Sequence, residues 1–587
     1  MAASLYTFCT PAPPQVACFI PGMRYNLTMR AQGCDHSKKE QDMAQMTGGE
    51  AVLQALRHEG VEIVFGLPGV QIMGLYDAFY ARSDMRIMTV RHEQTTAYMA
   101  DGYARVTGKP GVALVVPGPG VQNASAALGT AYAASSPVLL LAGQVESYNI
   151  GSDRGALHEI NDQIDIIRPV TKWCQRVNDV PSIPGAIHEA MRQMRTGRPR
   201  PTEVEIAPDT LAASADVTFP PVATSPPASL DWDQVRRAAA LLRDASKPLI
   251  WAGGGAVLAD ASRELVALAE ALGAPVATTA EGKGVFPEDH RLALGVGFYG
   301  HGTSSWAAPQ ADVVLAVGTR LTGQMTGLNA VRIPQRLIHL DIDPTVMGKN
   351  YPADVRLVTD ARAGLQALLE EVRRQDPPAP RWADTELQDM WRLQERWLQE
   401  KAPDQSALWR SMQRVLPEDA VLVSGITNMG YWSHFAYRSR QPRTYLTSSY
   451  FATLGFSFPV ALGAKVALPE RAVVSITGDG GFMYALPELA TAVHYGIGVV
   501  VVVFVDNALG ASKNDQRTRF QGREIGTTLH NPSFAEVARV FGAQGKRTDP
   551  EHLDTALQEA LTSGKPTVIE VPVPTWAPPF QIQPRTH

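Results

Sequence analysis

The sequence predicts an α/β protein of three consecutive doubly wound parallel-sheet domains. Three observations carry that prediction. Apolar runs of strand length alternate with longer stretches of helical period, the order that gives a parallel sheet covered on both faces. Two polar, proline-rich breaks divide the chain into three blocks. Several strand runs end in glycine-rich turns that open a helix, the edge where such sheets bind ligands.

The first block spans 46–212. Ala51, Val52, Leu53 and Leu56 mark a helical face, and 62–65 reads as a strand ending at Gly66. Further strands fit 86–90, 111–116 and 137–142. A connector follows at 213–229, with Pro220-Pro221 and Pro226-Pro227. The second block, 230–374, opens with a strand at 248–252 that runs into Gly253-Gly254-Gly255, and repeats the theme at 313–317 and 337–340. A polar break and an amphipathic stretch around 387–398 form the joint 375–403. The third block, 404–587, has strands at 420–423, 472–476, 499–505 and 567–571.

Composition narrows the function. Of 587 residues 45% are apolar and 19% charged, so large cores are available. The net charge of -5, with both signs mixed, lacks the basic footprint of a nucleic-acid binder. The longest apolar run, 499–505, is too short to span a bilayer and reads as a buried strand. Cys9, Cys18 and Cys34 lie near the start, leaving only Cys174 in the globular part. That usage fits a reducing, cytoplasmic setting. Residues 1–45 read as a disordered tail or an over-extended start in preference to a transit peptide.

The sharpest chemistry lies in the third block. The strand 472–477 ends at Gly478-Asp479-Gly480-Gly481, with a helical pattern resuming near Leu486. Glycines there let backbone N–H groups approach an anion. An aspartate within such a turn opposes a phosphate unless a cation lies between them. Mg²⁺ meets that need with one or two carboxylates plus phosphate oxygens. The next strand ends at Val505-Asp506-Asn507-Ala508-Leu509-Gly510, so Asp479 and Asp506 are expected at one sheet edge. In the first block, Arg91-His92-Glu93-Gln94 places Glu93 at a helix start, and Pro117-Gly118-Pro119-Gly120 forms another ligand-type turn. One extended cofactor spanning both blocks is therefore expected.

Gly478-Asp479-Gly480, 25 residues and then Asp506-Asn507 resembles the signature of thiamine-diphosphate enzymes. The segment around Glu93, Gly66-Leu67-Pro68-Gly69, Gly102-Tyr103-Ala104-Arg105, Gly143-Gln144-Val145 and Gly282-Lys283-Gly284 resemble their acetolactate synthase branch. The resemblance implies pyrimidine-binding, central and diphosphate-binding domains. It also implies a homodimer or homotetramer whose sites join the first domain of one subunit to the third of another. Glu93 would engage the cofactor's pyrimidine and assist removal of the thiazolium proton. Leu454 would be the apolar wedge that bends the cofactor, and the Ala452 carbonyl would hold its amino group. Gly425, Ile426, Thr427, Asn428, Gly478, Gly480 and Gly481 would line the diphosphate. Asp479, Asp506 and the Ala508 carbonyl would bind Mg²⁺; Val505 stands where many relatives carry asparagine.

The same resemblance implies cleavage or formation of the C–C bond beside a 2-oxo acid carbonyl, with an aldehyde or second 2-oxo acid as acceptor in a carboligation. Strict acetolactate synthases carry Pro-Lys-Asp where this chain has Ala207-Pro208-Asp209. The arginine of their Asp-Asp-Arg aligns with Gln324, and an acceptor-selecting tryptophan with Asp515. Val70, Gln71, Gln324 and Asp515 are the candidate substrate contacts. The family glutamine aligns with His158 in Leu157-His158-Glu159, as in relatives resembling basic 2-oxo acid decarboxylases. An imidazole there would move a proton near neutrality, and Asp515 and Glu159 would favour a cationic substrate. The alternatives are a true acetolactate synthase making acetolactate from pyruvate and a catalytically silent regulatory relative. The central block resembles a flavin-binding domain in part, which implies FAD in a structural role at Gly254, His301, Gly302, Arg320 and Asp341.

Overall fold

The computed structural model describes residues 44–81, 85–222, 229–334, 336–374 and 381–582. Most of the amino-terminal tail, with its three cysteines, lies outside them. A short antiparallel pair joins β1 (Ala44–Thr47) to β8 (Ser214–Val217). Ordered structure therefore reaches into both the expected tail and the expected connector.

Three six-stranded parallel sheets follow. The first holds β2 (Ile63–Gly66), β3 (Arg86–Thr89), β4 (Gly111–Val115), β5 (Val138–Gly143), β6 (Trp173–Val177) and β7 (Thr202–Ile206), in the order β3-β2-β4-β5-β7-β6. The central one holds β9 (Pro248–Ala252), β10 (Val276–Thr278), β11 (Ala293–Val296), β12 (Val313–Val317), β13 (Leu337–Asp341) and β14 (Val355–Val358), ordered β11-β10-β9-β12-β13-β14. The third holds β15 (Val421–Ser424), β16 (Tyr445–Leu446), β17 (Val473–Gly478), β18 (Val500–Val505), β19 (Gln544–Arg547) and β20 (Thr567–Pro572), ordered β16-β15-β17-β18-β20-β19. The predicted α/β class and its three-sheet arrangement are thus observed.

The central sheet encloses its own core around Trp251, Phe286 and Leu315. The first and third sheets share one, which includes Phe65, Tyr98, Met99, Phe456, Phe458, Phe482 and Val501. Helix Glu93–Thr107 crosses helix Ser457–Ala467 at its centre. The crossing depends on Gly102, where a Cβ would stand 2.1 Å from the Val460 carbonyl oxygen. A side chain there would force the two helices apart. Among the described residues no helix is long and apolar enough to cross a membrane.

Candidate active site

The third sheet builds its ligand edge at the point where strand order reverses, between β15 and β17. The turn Gly425–Asn428 leaves β15, and Gly478–Gly481 leaves β17. A Cβ on Gly425 would lie 2.4 Å from the Ile476 carbonyl oxygen, so the first turn is pressed against the neighbouring strand. Helix Asp479–Met483 begins at the aspartate itself, earlier than the resumption near Leu486 that the sequence suggests. Asp479 accepts hydrogen bonds from the Gly480 and Asn507 amides and from Asn531 Nδ2, each at 2.8 Å.

Asp506 leaves β18, which pairs with β17. Burial and the nearby Asp479 push its carboxyl up to about 6, and burial raises Asp479 as well. A buried and a half-buried carboxylate that repel each other beside a glycine cradle fit a divalent cation with phosphate ligands. Asn428 Nδ2 and Asn514 Nδ2 both donate to the Trp576 carbonyl, so the carboxy-terminal segment closes over this edge. Ala452 sits in a left-handed backbone conformation, φ 54°, and is exposed; Leu454 is half-buried.

The first sheet builds a matching edge. Glu93 opens its helix behind an N-cap at His92 and is half-buried. Its carboxylate accepts from Asn123 Nδ2 at 3.0 Å. The adjoining backbone is tied to the third domain: Arg91 N donates to the buried Glu488 carboxylate at 3.1 Å, and Gln94 Nε2 donates to the Tyr484 carbonyl at 3.2 Å. Val70 is exposed, whereas Gln71 is buried and donates through Nε2 to the Leu157 carbonyl at 3.0 Å. His158 follows with φ 70°, and its Nδ1 is buried with no hydrogen-bond partner among the described residues.

Two expected substrate contacts are otherwise engaged. The Glu159 carboxylate accepts from the amides of Ala156 and Arg154 and from Ser152 Oγ, at 2.9, 3.1 and 3.3 Å. Those backbone bonds hold it below the usual carboxylate range and spend its acceptors on its own loop. Asp515 pairs with Arg519 at 3.3 Å, one helical turn on.

A cavity of ≈ 250 Å³ lies where the three domains meet. Gly254, Arg320, Gln324 and Asp341 line it, along with Arg198 and Tyr450. Burial and repulsion from Arg320 lower Arg198 to about 10, an environment suited to an anion. His301 and Gly302 stand outside that lining. His301 stacks on Trp397 at 5.1 Å and its Nε2 meets the Ile582 carbonyl at 3.1 Å. Gly302 packs against Phe435 and the Val296 carbonyl. The sequence did not single out Asn531, Glu488, Trp576 or Gln163; each acts across a long stretch of chain, without a local motif.

Three family models match successive parts of the chain. The thiamine pyrophosphate enzyme N-terminal TPP binding domain matches 46–166, the central domain 235–368 and the C-terminal TPP binding domain 425–571. A probable acetolactate synthase large subunit of Methanocaldococcus jannaschii is 35% identical over 552 residues, covering 90% of this chain and 92% of that one. The acetolactate synthase isozyme 3 large subunit of Escherichia coli is 34% identical over 539 residues, covering 88% and 93%. A probable 2-ketoarginine decarboxylase of Pseudomonas aeruginosa is 35% identical over 543 residues, covering 90% and 94%.

Proposed function

The chain belongs to the thiamine pyrophosphate enzymes, in their acetolactate synthase-like branch, and from that premise we propose that it decarboxylates a 2-oxo acid with a cationic side chain. The observation that carries this reading is His158, set at the sheet edge against Gly118, with a ring nitrogen that has no partner among the described residues. The similarity to a probable 2-ketoarginine decarboxylase supports the substrate class. Asp515 remains the candidate carboxylate for the substrate cation, exchanging Arg519 for it; Glu159 is committed to its loop.

When bound, thiamine diphosphate would supply a carbon nucleophile and an electron sink for loss of CO₂. Asp479, Asp506 and the Ala508 carbonyl would hold Mg²⁺, which would neutralise the diphosphate's charge. The turns Gly425–Asn428 and Gly478–Gly481 bind its oxygens, with Gly425, Ile426, Thr427, Asn428, Gly478, Gly480 and Gly481 as the contacts. Glu93 would hydrogen-bond the cofactor's pyrimidine and serve there as its proton-exchanging group. The Ala452 carbonyl would accept from the cofactor's amino group, and Leu454 would supply an apolar contact beside it. His158 delivers a proton to the product carbon or receives one from the product. Val70, Gln71 and Gln324 shape the substrate's surroundings.

Glu93 is half-open and Phe451 and Tyr484 are 44% and 58% exposed, which supports a homo-oligomer whose partner covers this face. The three-domain cavity, with Arg198 and Arg320 on its wall, supports FAD held for structure; a flavin spectrum from the purified protein tests that assignment. The substrate is tested by CO₂ release from a panel of 2-oxo acids, with and without aldehydes. 2-Ketoarginine is expected to exceed pyruvate at least tenfold in kcat/KM. Acetolactate as the main product from pyruvate alone would instead establish a synthase.

A further inference from the structure

Gln163 is fully buried at the first position of helix Gln163–Ile167 and spends its whole amide on the first sheet's edge. Its Oε1 accepts from the Gly118 amide at 2.9 Å. Its Nε2 donates to the Gly143 carbonyl at 2.9 Å and to Glu205 Oε2 at 2.8 Å. Glu205 is buried, and its other oxygen accepts from Arg176 Nε and from Gln144 Nε2. One side chain therefore joins the turn after β4 to the end of β5 and to strand β7.

Gly118 is the element that this amide holds, and it lies directly under His158. Its φ is 58°, and a Cβ there would stand 2.4 Å from the His158 carbonyl oxygen. His158 is itself left-handed. A non-glycine residue adopts that conformation at a cost and needs surroundings that impose it. Gly118 supports its backbone from below, and Gln71 holds the preceding carbonyl.

We propose that Gln163 is a positioning residue which, by clamping Gly118, fixes the His158 backbone and so aims the imidazole into the site. The proposal rests on the proton-handling role given to His158. A methionine at 163 has similar volume but makes none of the amide bonds. Without them Gly118 can shift, His158 can leave its left-handed conformation, and the loop 151–162 loosens.

The test is a double-mutant cycle of Gln163→Met and His158→Ala in the full-length enzyme with thiamine diphosphate and Mg²⁺, joined to trypsin digestion of the cofactor-free protein. Turnover is read with 2-ketoarginine or pyruvate, whichever releases CO₂ faster. Gln163→Met is expected to lower kcat about tenfold with KM within twofold. On the His158→Ala background it is expected to lower kcat less than twofold. Cleavage after the exposed Arg154 is expected to rise at least fivefold. An undiminished kcat loss on the His158→Ala background, or unchanged cleavage at Arg154, overturns the clamp. Full activity in His158→Ala alone overturns the role of His158, while cleavage at Arg154 still judges the clamp by itself. If Gln163→Met fails to fold, Gln163→Asn, which keeps an amide but shortens its reach, is expected to show the same pattern at smaller size.

Discussion

The first and third domains share one sheet topology and put it to different chemical use. Counted within each domain, strand order is 2-1-3-4-6-5 in both, whereas the central sheet runs 3-2-1-4-5-6. Corresponding turns therefore occupy corresponding places. After the third strand of each sheet, Pro117-Gly118 in one matches Gly478-Asp479 in the other. After the second strand, Glu93 matches the region of Ala452 and Leu454. The third domain concentrates two carboxylates at its edge and is fitted to anchor a cation and a diphosphate. The first domain keeps carboxylates out of that position, ties its turns with glutamine amides, and presents Glu93 and His158. The proposed function makes this edge an anchor in one domain and proton-handling machinery in the other.

The comparison breaks most readily at the anchor. Asp479→Asn is expected to weaken thiamine diphosphate affinity in the presence of Mg²⁺ by about a hundredfold, roughly 2.8 kcal/mol. Binding measured by tryptophan quenching checks it; unchanged affinity would remove the anchoring role. Gly102→Val attacks the shared core. Overpacking against Val460 is expected to cost about 1–3 kcal/mol and to lower the thermal midpoint. Loss of stability in both edges together would show that the two domains behave as one unit.

The pH response sharpens the contrast. Asp506 lies above its ordinary range in the metal-free chain, at about 6. A raised carboxylate takes up a proton more readily when folded. The metal-free protein should therefore gain stability as pH falls through about 6 toward the ordinary carboxylate range, and lose that gain as pH rises through it. Mg²⁺-dependent cofactor retention should move the opposite way and weaken below about pH 6, because protons compete with the cation. Asp506→Asn should diminish both trends in unfolding and retention titrations, leaving the part that the raised Asp479 contributes. The smallest effect is expected from Asn531→Ala, which removes one donor from Asp479. About 1.5 kcal/mol, or roughly tenfold in cofactor affinity, follows from losing a single hydrogen bond to a charged group.

What the sequence disclosed followed from local pattern. β17 and β18 are apolar runs closed by glycine and aspartate, so strand, turn and charge all lie within a few residues. β6, β16 and β19 left little trace: β6 and β19 are polar and partly exposed, and β16 has only two residues. β7 was obscured by Glu203 and Glu205, fully buried acidic side chains inside a strand. The contacts that orient the site are separated along the chain. Gln163 reaches Gly118 across 45 positions, and Asn531 reaches Asp479 across 52. His301 and Gly302 also make contacts that their local pattern does not disclose, His301 stacking on Trp397 and Gly302 lying close to Phe435.

The division of labour is tested most directly with Glu93→Gln, by measuring cofactor affinity and turnover on one preparation. General acid–base contributions of this kind are worth about 10²–10⁴-fold. Turnover is expected to fall by at least about a hundredfold, while thiamine diphosphate affinity with Mg²⁺ stays within about threefold, a change of under ~1 kcal/mol. Turnover preserved in Glu93→Gln would contradict the account, as would a loss of cofactor affinity as large as that expected for Asp479→Asn.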